Sequence, residues 1–77
     1  MSHTPHELAE EFPDKIAKIH ALKMSDTHFA RIADEYHDVN REIHRIETDV
    51  EPASDDALEE LKKKRLWLKD QVAGLLG

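Results

Sequence analysis

No cysteine occurs in this chain, glycine stands only at positions 74 and 77, and the aromatic side chains are limited to Phe12, Phe29, Tyr36 and Trp67. The first absence excludes disulfide staples and thiolate chemistry alike. The second leaves no glycine-rich loop to cradle a phosphate. The third, in a chain of 77 residues, leaves little to fill a large core. A domain near this size buries only about 60% of the surface its unfolded chain exposes, so self-association is the expected reinforcement. No stretch approaches the roughly 20 apolar residues of a membrane span. The start, MSHTPHELAEE, lacks the basic region and apolar run of a secretory signal, which makes a cytoplasmic protein the expectation.

Charge is what the chain has in quantity. Asp, Glu, Lys and Arg make up 36% of it and the formal net charge is -6. That balance favours solubility and weighs against a nucleic acid or an anionic membrane as partner.

With so little glycine, the prolines are the main punctuation, at Pro5, Pro13 and Pro52. Thr4-Pro5-His6-Glu7 has the form of a capping box: the Thr4 hydroxyl can accept from the Glu7 amide, and Pro5 suits a first helical position. Pro13 cannot donate to the carbonyl four residues back, so a break is predicted near Phe12. A short helical piece through about Lys23 should follow, carrying Ile16, Ile19 and Leu22. Ser25 or Asp26 offers a cap for the next helix. The predicted organisation is all-α: a helical arm over residues 1–24, broken near Pro13, and an antiparallel, coiled-coil-like hairpin over 25–77, together one domain.

The hairpin follows from two apolar seams. Phe29, Ile32, Tyr36, Val39, Ile43, Ile46 and Val50 alternate spacings of three and four, the heptad pattern of a helix packed along one stripe. EPASDD then supplies Pro52 and the candidate caps Ser54, Asp55 and Asp56, which places the turn near 51–55. Leu58, Leu61, Arg65, Leu68, Val72 and Leu75 continue the spacing on a second helix. Flanking the first seam are Glu35, Glu42, Glu47 and Asp49, and flanking the second are Lys62, Lys64 and Lys69. Acid facing base selects the hairpin over like-with-like pairing, although each exposed pair contributes only about 0.2–1 kcal/mol. The predicted register sets Val50 beside Leu61, Ile43 beside Leu68, Val39 beside Val72 and Tyr36 beside Leu75, with a seven-residue slip as the alternative. Arg65, a charge within the seam, is predicted to lay its stem there and reach Glu42 or Glu47 with its guanidinium.

The stretches EFPDKIAKIHALK, HFARIADEYHDVNREIHRIE and LKKKRLWLKD resemble the small YdcH-like proteins of proteobacteria, a domain of unknown function. The likeness rests on Phe12-Pro13, His28-Phe29, Tyr36, Ile43, Glu47, Lys62-Lys63, Arg65-Leu66 and Leu68-Lys69-Asp70. It implies a short helical hairpin with no established enzymatic activity. Trp67 falls at a position that varies in the family, so a role for it would be particular to this protein.

Several chemistries can be weighed residue by residue. His37 and His44 lie seven apart, and Asp34 with His37 forms a D-x-x-H pair. A closed metal site needs three or four converging ligands, and these histidines fall at outward positions, so neither a metal nor another cofactor is expected. An amino-terminal Met-Ser-His could chelate Cu(II) or Ni(II) only if left unprocessed. Carboxylates abound, but a two-helix body offers no water-excluding cleft in which to shift their pKa, so neither an enzyme nor a small-molecule substrate is expected. KKKRLWLK, with Lys62, Lys63, Lys64, Arg65 and Trp67, could clamp phosphates and stack a base, which keeps weak nucleic-acid binding as the alternative reading. Leu66 and Trp67 point away from the seam, and Ala73 and Leu76 extend their arc, making it wider than two helices require. The arm through Phe12, Ile16 and Ile19, a second copy or a foreign protein could cover it. Phe12, Leu66, Trp67 and Leu76 are therefore the candidate interaction residues of a small module, expected to self-associate as a dimer or to hold another protein.

Overall fold

The computed structural model describes residues 5–48 and 52–77. Within them the chain is all-α: α1 (Leu8–Glu11), a 3-10 turn (Pro13–Lys15), α2 (Ile16–Ser25), α3 (Thr27–Glu47) and α4 (Asp55–Leu76). The predicted Thr4 cap, the Asp49 charge and the seam residue Val50 lie outside the described residues.

Helix α1 starts three residues later than the capping-box pattern suggests. Glu7, at its N-cap, is extended and provides no side-chain cap. Before it, His6 adopts φ 64°, a left-handed conformation that costs an L-residue with a Cβ about 1–2 kcal/mol. That conformation turns the chain so that the carbonyls of Pro5 and His6 reach side chains of α3. Tertiary hydrogen bonds thus override the local signal. The break at Pro13 lies where its missing amide requires: α1 closes with the Phe12 amide on the Leu8 carbonyl, and the Lys15 amide then returns to Phe12.

Both long helices begin at side-chain caps. One Asp26 carboxylate oxygen accepts from the amides of His28 at 3.0 Å and Phe29 at 3.2 Å. Ser54 Oγ accepts from Ala57 at 3.1 Å, and Asp55 and Asp56 add negative charge to the first turn of α4. At the other end of α4, Lys18 reaches from α2 to donate to the Leu76 carbonyl at 2.6 Å. This ties the arm to the hairpin and satisfies a carbonyl that the helix leaves open.

Helices α3 and α4 run antiparallel, with Glu47 joined to Lys62 at 3.0 Å and Asn40 to Arg65 at 2.9 Å. Between them lie Phe29, Ile32, Tyr36, Val39 and Ile43 from α3 and Leu68, Val72 and Leu76 from α4. The arm adds Leu8 and Ile19, with Phe12 and Leu22 packed at the margin and Leu58 and Leu61 half-buried toward the turn. Ile46 is half-buried.

The far end of the seam departs from the heptad expectation. Leu75, predicted inside, is 38% exposed, whereas Leu76, predicted on the outer arc, is 2% exposed. An untwisted α-helix drifts about 20° per heptad from a strict 3.5 repeat. After Leu68 and Val72 the next inward position is therefore four residues on rather than three. The same drift brings Ala33 and Asn40 of α3 into the interior, where the arm widens the buried arc.

Candidate interaction site

Burying Asn40 requires partners for its amide, because an unpaired buried polar group costs about 1–3 kcal/mol. Its residue exposure is 1%. Nδ2 donates to the Pro5 carbonyl at 2.7 Å and to Glu7 Oε1 at 3.3 Å, while Oδ1 accepts from Arg65 Nη1 at 2.9 Å. Arg65 therefore meets an amide rather than the carboxylates of Glu42 or Glu47, and Glu47 is held by Lys62. One turn before Asn40, the Tyr36 hydroxyl donates to the His6 carbonyl. Glu7 Oε2 lies 3.1 Å from His37 Nδ1, and Glu11 is approached by Lys69 and His6, each at 3.3 Å. A donor-lined cleft, built by one side of α3 and one side of α4, thus grips residues 5–11.

Asn40 belongs to this site although it is not among the candidate residues that the sequence pattern picks out. Its signal was available: a polar residue four after Tyr36 and three before Ile43 sits on the edge of the apolar stripe, where an amide needs a reason to be.

Two pKa values carry the imprint of this cleft. Burial pushes the Tyr36 hydroxyl up to about 12; the charges of Glu11 and Glu7 act in the same direction and Arg65 opposes them. The unfolded phenol ionises near 10. Because the folded value is raised, the stabilisation is complete below about pH 10 and is lost as pH rises toward 12. Tyr36 is the only tyrosine, so absorbance at 295 nm reports it directly. We expect its titration to fall near pH 12 in the native chain, and the corresponding alkaline loss of stability to vanish in Tyr36→Phe. A midpoint near 10 would place the hydroxyl in water. For Glu11, burial acts to raise the pKa, but Lys69 and then His6 outweigh it and leave the carboxyl below its ordinary range. Its contribution is present above that range and disappears as pH falls through the lowered value.

The second surface is the outer side of α4. Leu66 is 59% and Trp67 57% exposed, because α3 and the arm cover the opposite side. Phe12 packs against the core margin, so the four candidate residues do not form one patch. Gly74 lies two turns from Trp67 on this outer side, and a Cβ placed there would meet none of the described residues within 4 Å. Within KKKRLWLK, Lys62 is joined to Glu47, Lys69 to Glu11, and Lys63 to Glu60 at 3.8 Å. The basic run is thus divided among acids of the chain itself. A shallow surface groove of about 410 Å³ lies between Glu35, Asp38, Val39 and Glu42 of α3 and Lys64 of α4. Mixed charge lines it, and water reaches it freely. Among the described residues no group of three or more His, Asp or Glu is placed to hold a metal ion. No helix of the described residues is long and apolar enough to cross a membrane.

Residues 29–76 match the model of a family described as a protein of unknown function, DUF465. Comparison with curated proteins and with solved structures gave no match.

Proposed function

This chain belongs to the DUF465 family, and from the exposed face of α4 we propose that it is a cytoplasmic, non-enzymatic interaction module that self-associates, within the YdcH-like group that its residue pattern resembles. The observation that carries this reading is Trp67, more than half exposed beside Leu66 on a helix whose inner stripe is already used. Aromatic side chains of this kind commonly anchor interfaces. Gly74 supports the same conclusion. A glycine inside a helix costs roughly 0.5–1 kcal/mol relative to alanine, and nothing among the described residues needs that space. A second helix laid across α4 does need it, since the missing side chain permits close approach.

Sedimentation velocity over a range of concentrations tests the proposal. The wild type should form dimers with a blue-shifted emission from Trp67, the only tryptophan, and Trp67→Ala should remain monomeric with its fold intact. Gly74→Ala should raise monomer stability by about 0.5–1 kcal/mol while weakening association. A wild type that stays monomeric with the emission of water-exposed indole would end the self-association reading.

A further inference from the structure

Residues 5–11 behave less like part of the core than like a ligand bound to it. Of α1, only Leu8 is buried. The segment is also held by groups that donate: the Tyr36 hydroxyl to the His6 carbonyl, the Asn40 amide to the Pro5 carbonyl, and Lys69 to Glu11, with His37 beside Glu7. Arg65 donates in turn to the Asn40 Oδ1. A chain of net charge -6 has thus gathered donors and cations on one cleft. Two of these bonds go to main-chain carbonyls, which any sequence supplies. Selectivity then falls on the carboxylates at positions 7 and 11 and the leucine between them.

The present occupant fits under strain. His6 is held at φ 64°, a conformation that glycine adopts freely and a histidine does not. Helix α1 is one turn long and has no side-chain cap. The stretch that matches the family model, residues 29–76, contains Tyr36, Asn40, Arg65 and Lys69, whereas the segment they hold lies before it.

The geometry points to this cleft being a docking site for an acidic peptide of another protein, with the pattern Glu-Leu-x-x-Glu, for which residues 5–11 are the built-in competitor. Charge complementarity selects the partner: carboxylates opposite Lys69 and the Asn40 amide, an aliphatic side chain in the place of Leu8, and no bulk needed where the backbone turns at position 6. The site is separate from the outer face of α4, and it stands whether or not the protein dimerises.

The test uses the full chain and a labelled synthetic peptide with the sequence of residues 5–15, carrying the change His6→Gly, in fluorescence polarisation. Leu8→Asp frees the cleft by expelling the arm's apolar anchor. We expect this variant to bind the peptide at least tenfold more tightly than the wild type, whose own arm competes. Adding Lys69→Glu or Asn40→Ala should abolish the gain, and a peptide with both glutamates changed to glutamine should bind at least tenfold more weakly. If Leu8→Asp does not fold, the double variant Glu7→Gln/Glu11→Gln, which leaves the core untouched, takes its place with the same expectation. A folded, arm-released variant that binds no better than the wild type overturns the proposal, as does indifference to the peptide's carboxylates. Dimers that persist in Trp67→Ala and dissociate on adding the peptide would place a second copy's arm in the cleft, and so would overturn the assignment to a foreign partner.

Discussion

Tyr36→Ala is expected to lower the melting temperature by on the order of 20 °C, or to leave the chain unfolded at 37 °C. The ring has no exposure and is the largest fully buried side chain. Phe or Trp to Ala changes in cores cost about 3–5 kcal/mol, and a domain near this size loses about 4–8 °C for each kcal/mol. Typical domains have only 5–15 kcal/mol in total, so a single truncation here can exhaust the margin. Tyr36→Phe separates the ring from the hydroxyl. It keeps the packing and removes one donor, and the His6 carbonyl left behind belongs to an exposed residue. We expect a cost of about 1 kcal/mol, the net worth of one hydrogen bond. Thermal denaturation followed by circular dichroism distinguishes the two. Equal losses in both variants would mean that the grip on the arm, rather than ring burial, holds the molecule together.

That distinction marks how far the amino-acid pattern carries. The hairpin was legible because its information is local and repetitive: three-four spacing from Phe29 to Ile43, a carboxylate at Asp26, a hydroxyl at Ser54, and the acid and base that meet at Glu47 and Lys62. The spacing fixes the stripe, and the caps come from short sets of adjacent candidates, Ser25 or Asp26 and Ser54, Asp55 or Asp56, of which the structure uses Asp26 and Ser54. The break at Pro13 was legible for the same reason. The inward turn of Leu76 in place of Leu75 was not, since a strict heptad describes a supercoil and this short hairpin carries a third layer on one side. The cleft was hidden more deeply. Asn40 meets Pro5 across 35 positions and Arg65 across 25; its place on the edge of the stripe shows that its amide needs partners, but no composition or period names them. Of the lysines expected to face the acidic helix, Lys62 does so through Glu47, whereas Lys69 turns to Glu11 of the arm, a partner that no spacing along the hairpin could name.

The second large effect concerns Asn40 and Arg65, where the sign of the double change matters more than either single one. Asn40→Leu removes the acceptor of Arg65 and the donor to Pro5 and Glu7, leaving a half-buried guanidinium and a main-chain carbonyl without their partner. Arg65→Met leaves Asn40 Oδ1 unpaired at a site with 1% exposure. Each should cost about 1–3 kcal/mol, because stranding one member of a buried polar pair exacts the desolvation penalty of the other. In the double variant no stranded partner remains between the two positions, and leucine against methionine packs well along a seam that already holds Ile43 and Leu68. The double should therefore lose less than the two singles together, by about 0.5–3 kcal/mol, the range for residues in direct contact. Urea denaturation of the four proteins measures this coupling. A value indistinguishable from zero would show that Arg65 serves the hairpin through its aliphatic stem alone. A large coupling combined with lost affinity for the acidic peptide would tie the same amide to two tasks: fixing how α3 meets α4 and presenting a donor to whatever lies in the cleft.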